Sequence, residues 1–144
     1  MKNIYIILST VASILISNGI SAQQNCEQIA KDCQVILTGK EGAKFVSDGQ
    51  VYTAFLDQEK AEFKTTFFGG STYRIAASAG ADDNYVIFTV KDMEGNILFT
   101  NRKYKNSSHW DFKVASTIPV IIETELDTDK KITGCAVLMI GFKK

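Results

Sequence analysis

The sequence predicts a mainly β fold, an antiparallel jelly-roll-type β-sandwich of eight or nine strands with one N-terminal helix packed on it. Apolar and polar residues alternate in short segments from residue 43 onward, which is the period of a β-strand. Turn-forming residues separate these segments about every ten positions. Helical spacing of apolar residues occurs once, at about residues 25–38. Many short strands without a later helix indicate a sandwich.

Residues 1–22 have the pattern of an export signal. Lys2 precedes an apolar run at residues 4–16, and the small residue Ala22 precedes the polar Gln23. The run is shorter than the about 20 residues that a membrane-spanning helix needs. We therefore expect a signal peptide at 1–22, a single domain at 23–144, and a periplasmic or extracellular location without membrane insertion after signal removal.

The predicted helix begins at Asn25, an N-cap residue type, with Gln28 at the capping-box position. Gly39 and Gly42 then mark its end. Its apolar residues form one stripe, made of Cys26, Ile29, Cys33 and Ile36.

Nine segments are candidate strands. The turn residues between them are mainly Gly, Asp, Asn and Ser. The candidates are residues 43–47, 50–56, 61–68, 72–79, 84–92, 96–102, 109–115, 118–126 and 132–142.

Alternation predicts which side chains of these strands face the core. The inward sets are Val86, Phe88 and Val90; Trp110, Phe112 and Val114; and Ile118, Val120 and Ile122. The last strand is apolar on both faces, so both faces must be covered. Because the helix carries the spare apolar surface, we expect it to lie across the outer face of the last strand, near Cys135.

Three cysteines in an exported chain predict a disulfide. Cys26 and Cys33 would lie about 10.5 Å apart along a helix, whereas bridged α-carbons lie within about 7 Å, so these two cannot pair with each other. Cys135 must then pair with one of them. Cys33 is the preferred partner, because it lies nearer the point where the helix joins the sheet, and Cys26 is the alternative. The remaining cysteine would be free or would form a disulfide-linked dimer.

Residues 70–75 (Gly-Ser-Thr-Tyr-Arg-Ile), residues 85–92 and the pair Gly95-Asn96 resemble bacterial pre-peptidase C-terminal (PPC-like) domains and the related GOLD-type sandwiches. This resemblance covers at most residues 50–125 and implies a β-sandwich. The whole of 23–144 also resembles small exported bacterial proteins that carry a cysteine-bearing N-terminal helix and a terminal strand like residues 134–142. Such proteins often carry a further cysteine where this chain has Ser78, and this difference leaves one helix cysteine without an evident partner.

Composition and motifs exclude several kinds of function. The 16 basic residues balance the 16 acidic residues, so bulk charge does not favour nucleic acid. His109 is the single histidine, and no Gly-x-Ser-x-Gly motif supplies a nucleophile for it and Asp111. The sequence therefore predicts no catalytic, cofactor-binding or metal-binding residues.

Two ligand classes are weaker alternatives. Turn acids at residues 82–84 and 127–129 could offer oxygen ligands to calcium, but they lack the spacing of a calcium loop. Tyrosines and Trp110 could offer platforms to sugars, although Trp110 alternates in phase with the core. We therefore expect an exported, non-catalytic binding or accessory module with a protein or glycan partner. The alternatives are a carbohydrate-binding module and a small hydrolase.

Overall fold

The computed structural model describes residues 19–39, 44–80 and 84–144. The main part of the predicted signal peptide, as well as Gly42, Asp82 and Asp83, lies outside these ranges. The described elements are α1 (Gly19–Thr38), β1 (Phe45–Asp57), β2 (Lys60–Phe67), β3 (Thr72–Ser78), β4 (Val86–Lys91), β5 (Ile97–Thr100), a short 3-10 helix (Asn101–Tyr104), β6 (His109–Lys113), β7 (Ile118–Leu126) and β8 (Thr133–Lys143). Asn25 therefore lies within α1 and does not cap it. Among the described helices, none has the length and apolar content to span a bilayer.

The strands form two four-stranded antiparallel sheets. Sheet A has the order β1-β8-β3-β6, and sheet B has the order β2-β7-β4-β5. The predicted mainly β sandwich with one helix is confirmed. Its jelly-roll type stays a prediction. Consecutive strands often lie in different sheets, and this alternation supports the prediction.

The sequence predicts a turn between two strands at Asp48-Gly49, but the chain does not reverse its direction there. The first two candidate strands form the single strand β1, which is why eight strands are found. The register against β8 shifts between Ser47 and Val51, so that β1 contains an irregularity at this point. Gly49 has φ of 88°, and the Asp48 carboxylate accepts a hydrogen bond from the Gln50 amide at 2.9 Å. The positive φ and this hydrogen bond are local features, and the strand keeps its direction.

The main core lies between the two sheets. The inward sets predicted for β4, β6 and β7 all belong to it or pack against it. The fully buried large side chains of this core include Phe88, Ile75, Ile122, Leu138 and Ile140.

A second core lies between α1 and the outer face of sheet A. Ile29, Cys33 and Leu37 are at most 1% exposed, and they pack against residues of β3 and β8 such as Ala76 and Val137. The predicted position of the helix is therefore confirmed.

Cys26 forms the disulfide with Cys135, and their α-carbons are 5.6 Å apart. The preference for Cys33 as the partner was wrong, and the alternative Cys26 is correct. The reason is the direction of the helix, because Cys26 reaches the start of β8 whereas Leu37 packs near Gly141 at its end. Cys33 lies between them, and its Sγ contacts the carbonyl oxygens of Ala76 at 3.4 Å and Val137 at 3.7 Å.

Candidate binding site

Asp111, one of the two residues considered for catalysis, forms an ion pair with Arg74. Arg74 binds Asp111 at two points, with Nε 2.7 Å from Oδ1 and Nη2 3.0 Å from Oδ2. The same guanidinium lies 3.4 Å from the Leu37 carbonyl at the end of α1 and 4.1 Å from the ring centre of Phe45. Asp111 therefore helps to hold Arg74 between the sheet and the helix.

His109 lies at the surface beside this ion pair. Partial burial lowers the pKa of its imidazole; the positive charge of Arg74 lowers it further, and Asp111 opposes the shift. The Asp111 side chain is 42% exposed and is bonded to Arg74. Within the described residues, no buried carboxylate hydrogen-bonds to the imidazole. The arrangement lacks the oriented base that a hydrolytic triad requires.

The acidic turn that includes Asp127 and Asp129 is organised by its own hydrogen bonds. Asp127 Oδ2 accepts from Asn106 Nδ2 at 2.8 Å, and Asp127 Oδ1 accepts from the Asp129 amide at 3.3 Å. No group of three or more His, Cys, Asp or Glu residues within 19–39, 44–80 and 84–144 is arranged to hold a metal ion.

Four aromatic rings pack at one edge of the sandwich, between β5 and β6. Tyr104 lies 4.3 Å from Trp110 and 5.7 Å from Phe99, measured between ring centres, and Phe112 meets Phe99 edge-on at 5.0 Å. Because these rings pack against one another at different angles, they do not form the flat row of exposed rings that would favour sugar binding.

An apolar groove of about 400 Å³ opens beside these rings, between the two sheets. It forms because β5 and β6 are the terminal strands of sheets B and A and do not pair with each other. β5 has only four residues, and its register against β4 shifts between Val90 and Lys91. The apolar lining includes Phe67, Val90, Leu98, Phe99, Phe112 and Ile118.

The connection between β6 and β7 forms one wall of this groove, and Gly69 fixes its position. The Gly69 amide donates to Thr117 Oγ1 at 3.0 Å. A Cβ at Gly69 would lie only 2.9 Å from the Ala115 carbonyl oxygen, so the close approach of the two segments requires glycine. Packing against Gly69 therefore fixes the position of this wall of the groove.

The rim of the groove exposes apolar side chains and strand edges. Ile97 is 63% exposed and Leu98 is 51% exposed. Ile97 pairs with Lys91, and Leu98 lines the groove. An edge strand presents main-chain N–H and C=O groups that no neighbouring strand satisfies. Apolar space and strand edges therefore lie side by side, and they could receive both the side chains and the backbone of an extended segment.

The sequence predicted Phe99 as part of a strand and Phe112 as an inward-facing residue of another, but it did not predict the groove. The sequence feature that could have indicated the groove is the apolar pair Ile97-Leu98 in a short strand. Whether such a pair lies beside a groove depends on which strands form the edges of the two sheets. No protein-family model matches this chain, and no match is found among curated proteins or solved structures. The resemblance to PPC-like and GOLD-type domains stays a prediction.

Proposed function

We propose that this protein is an exported, non-catalytic binding module that holds an extended apolar segment of a partner protein. The observation that carries the proposal is the apolar groove between the edges of β5 and β6. Its volume of about 400 Å³ lies within the range of known ligand pockets, which is about 300–1,000 Å³.

An extended peptide suits both parts of this site. A strand added to a sheet edge gains main-chain hydrogen bonds, and its alternate side chains enter neighbouring pockets. At β5, the exposed edge would receive the backbone, while Leu98 and Phe99 would contact an apolar side chain of the partner. Exposed apolar residues of this kind often mark interaction sites.

Two further observations support the rest of the proposal. The Cys26–Cys135 disulfide is typical of proteins in an oxidising compartment outside the cytoplasm. Asp111 is engaged with Arg74, and no carboxylate of the described residues hydrogen-bonds to His109, which favours binding over hydrolysis. A disulfide-linked dimer through Cys33 is not part of the proposal, because Cys33 has no exposed surface.

Selection from a random-peptide display library on the oxidised protein tests this function. We expect enriched peptides with apolar residues at alternate positions. Leu98→Asp should weaken their binding by about tenfold or more, because a charge enters an apolar groove. Ile97→Asp is the matched control, since Ile97 is at least as exposed but does not line the groove, and it should leave affinity within about twofold. Enriched peptides that lack this pattern, or that bind Leu98→Asp as well as wild type, would contradict the proposal.

Carbohydrate binding is the second candidate. A shallow depression is lined by Ser107, His109, Trp110 and Asp111, so that polar side chains surround one aromatic residue. A glycan array that compares the wild type with His109→Ala tests it. A bound glycan that is lost in this variant would favour the second candidate.

A further inference from the structure

Strand β1 is a terminal strand of sheet A, and its outer face is partly apolar. Every second residue of its central part pairs with a residue of β8 that lies under α1. The pairs are Val51 with Met139, Thr53 with Val137, and Phe55 with Cys135. The helix leaves the β1 members uncovered, since Phe55 is 63% exposed and Val51 is 51% exposed. The apolar outer face of sheet A therefore continues past the helix to the edge of the sheet.

Strand β1 also lacks the charged residues that usually protect a sheet edge. Residues 49–56 carry no charge, and the register against β8 is regular from Val51 to Asp57. The other three terminal strands are protected, because β5 has only four residues while β2 and β6 carry charges. These charged residues are Lys60, Glu62, Lys64, Asp111 and Lys113. A long, regular and uncharged edge is open to pairing with a further strand.

The edge of β1 is complementary to a second, antiparallel copy of itself. With a two-fold axis at Thr53, this residue lies opposite Thr53 of the second copy. Phe55 then lies opposite Val51 of the second copy on both sides of the axis, and pairs of an aromatic and a β-branched residue stabilise antiparallel strands. The acidic residues at both ends of the segment fall opposite uncharged residues, with Asp57 opposite Gly49. The same surface therefore serves both partners, as a two-fold dimer requires.

We propose that two copies of this chain pair through β1, so that their four-stranded sheets A join into one eight-stranded antiparallel sheet. The axis is perpendicular to the sheet, and both α1 helices lie on the same face. Val51 and Phe55 of the two copies then form one apolar patch between the helices. Strand β6, at the groove, is at the opposite end of sheet A, so the proposal does not depend on the peptide function.

Analytical ultracentrifugation of the oxidised protein over a range of concentrations tests this dimer. We expect a monomer–dimer equilibrium with a dissociation constant of about 1–100 μM, because the interface is small. Phe55→Lys should weaken the dimer by about tenfold or more. Phe68→Lys is the matched control, since Phe68 is 61% exposed but lies outside β1, and it should change the constant by less than about twofold. A protein that stays monomeric at about 500 μM, or equal effects of the two variants, would overturn the proposal.

Cross-linking through an introduced cysteine tests the register. Thr53→Cys should form a covalent dimer under mild oxidation, because opposite α-carbons of antiparallel strands lie about 4.5–5.5 Å apart, within the range of a disulfide. Val51→Cys should not, since its two cysteines would lie about 13 Å apart along the strands. Leu98→Asp, in the groove, should leave dimerisation unchanged. Equal cross-linking through both cysteines, or a dimer that Leu98→Asp abolishes, would overturn the proposal even if Phe55→Lys fails to fold.

Discussion

Cys26 and Cys135 join the N-terminal half of α1 to the start of β8 across 109 positions of sequence. The helix is thus fixed to the sheet by a covalent bond in its N-terminal half. Near its C-terminal end, the Leu37 carbonyl contacts Arg74, and Ile29, Cys33 and Leu37 are buried along its length. The helix is therefore an integral part of the domain.

The disulfide should contribute a large part of the stability. A loop of about 100 residues predicts stabilisation of up to about 4–5 kcal/mol in the chain-entropy model. Urea unfolding of Cys33→Ala, with and without reductant, measures this contribution because only the Cys26–Cys135 pair changes state. Equal unfolding midpoints in the two conditions would show that the bond stabilises nothing.

The Cys33 thiol should be unreactive in the native protein. It has no exposed surface, and burial raises its pKa to about 12, so the nucleophilic thiolate is scarce. An aromatic disulfide reagent should label no thiol at pH 8 until urea is added, and should then label one per chain. Non-reducing peptide mapping should recover Cys26 linked to Cys135. Rapid native labelling or a covalent dimer would contradict this prediction.

Glu123 should make stability depend on acid pH. Hydrogen bonds from Lys60 at 2.8 Å and Lys91 at 2.7 Å lower the pKa of its carboxyl below the ordinary value of 4.5. A lowered native pKa stabilises the fold above pH 4.5, and this stabilisation is lost as the pH falls through the native pKa.

Glu123→Gln should therefore reduce the free energy of unfolding at pH 7 by about 1.5–3 kcal/mol, and the difference should vanish in strong acid. The exposed Glu27→Gln is the control and should have little effect. Chemical unfolding across the acid range measures both variants. A Glu123→Gln deficit that persists unchanged at the lowest pH would show that charge is not its cause.

Asn101 should be among the residues least tolerant of substitution. Its side chain is fully buried, accepts from the Phe88 amide at 2.9 Å, and donates to the carbonyls of Val86 at 2.9 Å and Ser107 at 3.0 Å. Asn101→Ala would leave these main-chain groups without a partner and should cost about 3 kcal/mol or more. The exposed Asn96→Ala should cost much less. Similar losses in the two variants by urea unfolding would contradict this role.

Thr124→Val should stabilise the protein by about 1 kcal/mol, because it removes a buried hydroxyl that has no hydrogen-bond partner among the described residues. Thr89→Val is the matched control. Thr89 is also buried, but its Oγ1 lies 3.2 Å from Thr100 Oγ1, so its loss should destabilise. Thermal unfolding of both variants decides the sign of each effect. Destabilisation by Thr124→Val would mean that the hydroxyl is already satisfied.

The sequence predicted those features that depend on local pattern. Alternation identified the inward residues of β4, β6 and β7, and the two apolar faces of β8 predicted the helix position. Features that depend on tertiary placement were not predictable. The partner of Cys135 depends on the direction in which α1 crosses the sheet, and the role of Asn101 depends on the main chain of β4. The groove exists because β5 and β6 end different sheets, a fact that no single segment encodes.

Mapping amide chemical shifts during titration with a display-selected peptide tests the central proposal most directly. We predict that the largest changes fall on residues 97–100 and 113–117, at the edges and wall of the groove. Changes concentrated on α1 or on the edge between β1 and β2 would contradict the assignment of this groove as the peptide-binding site.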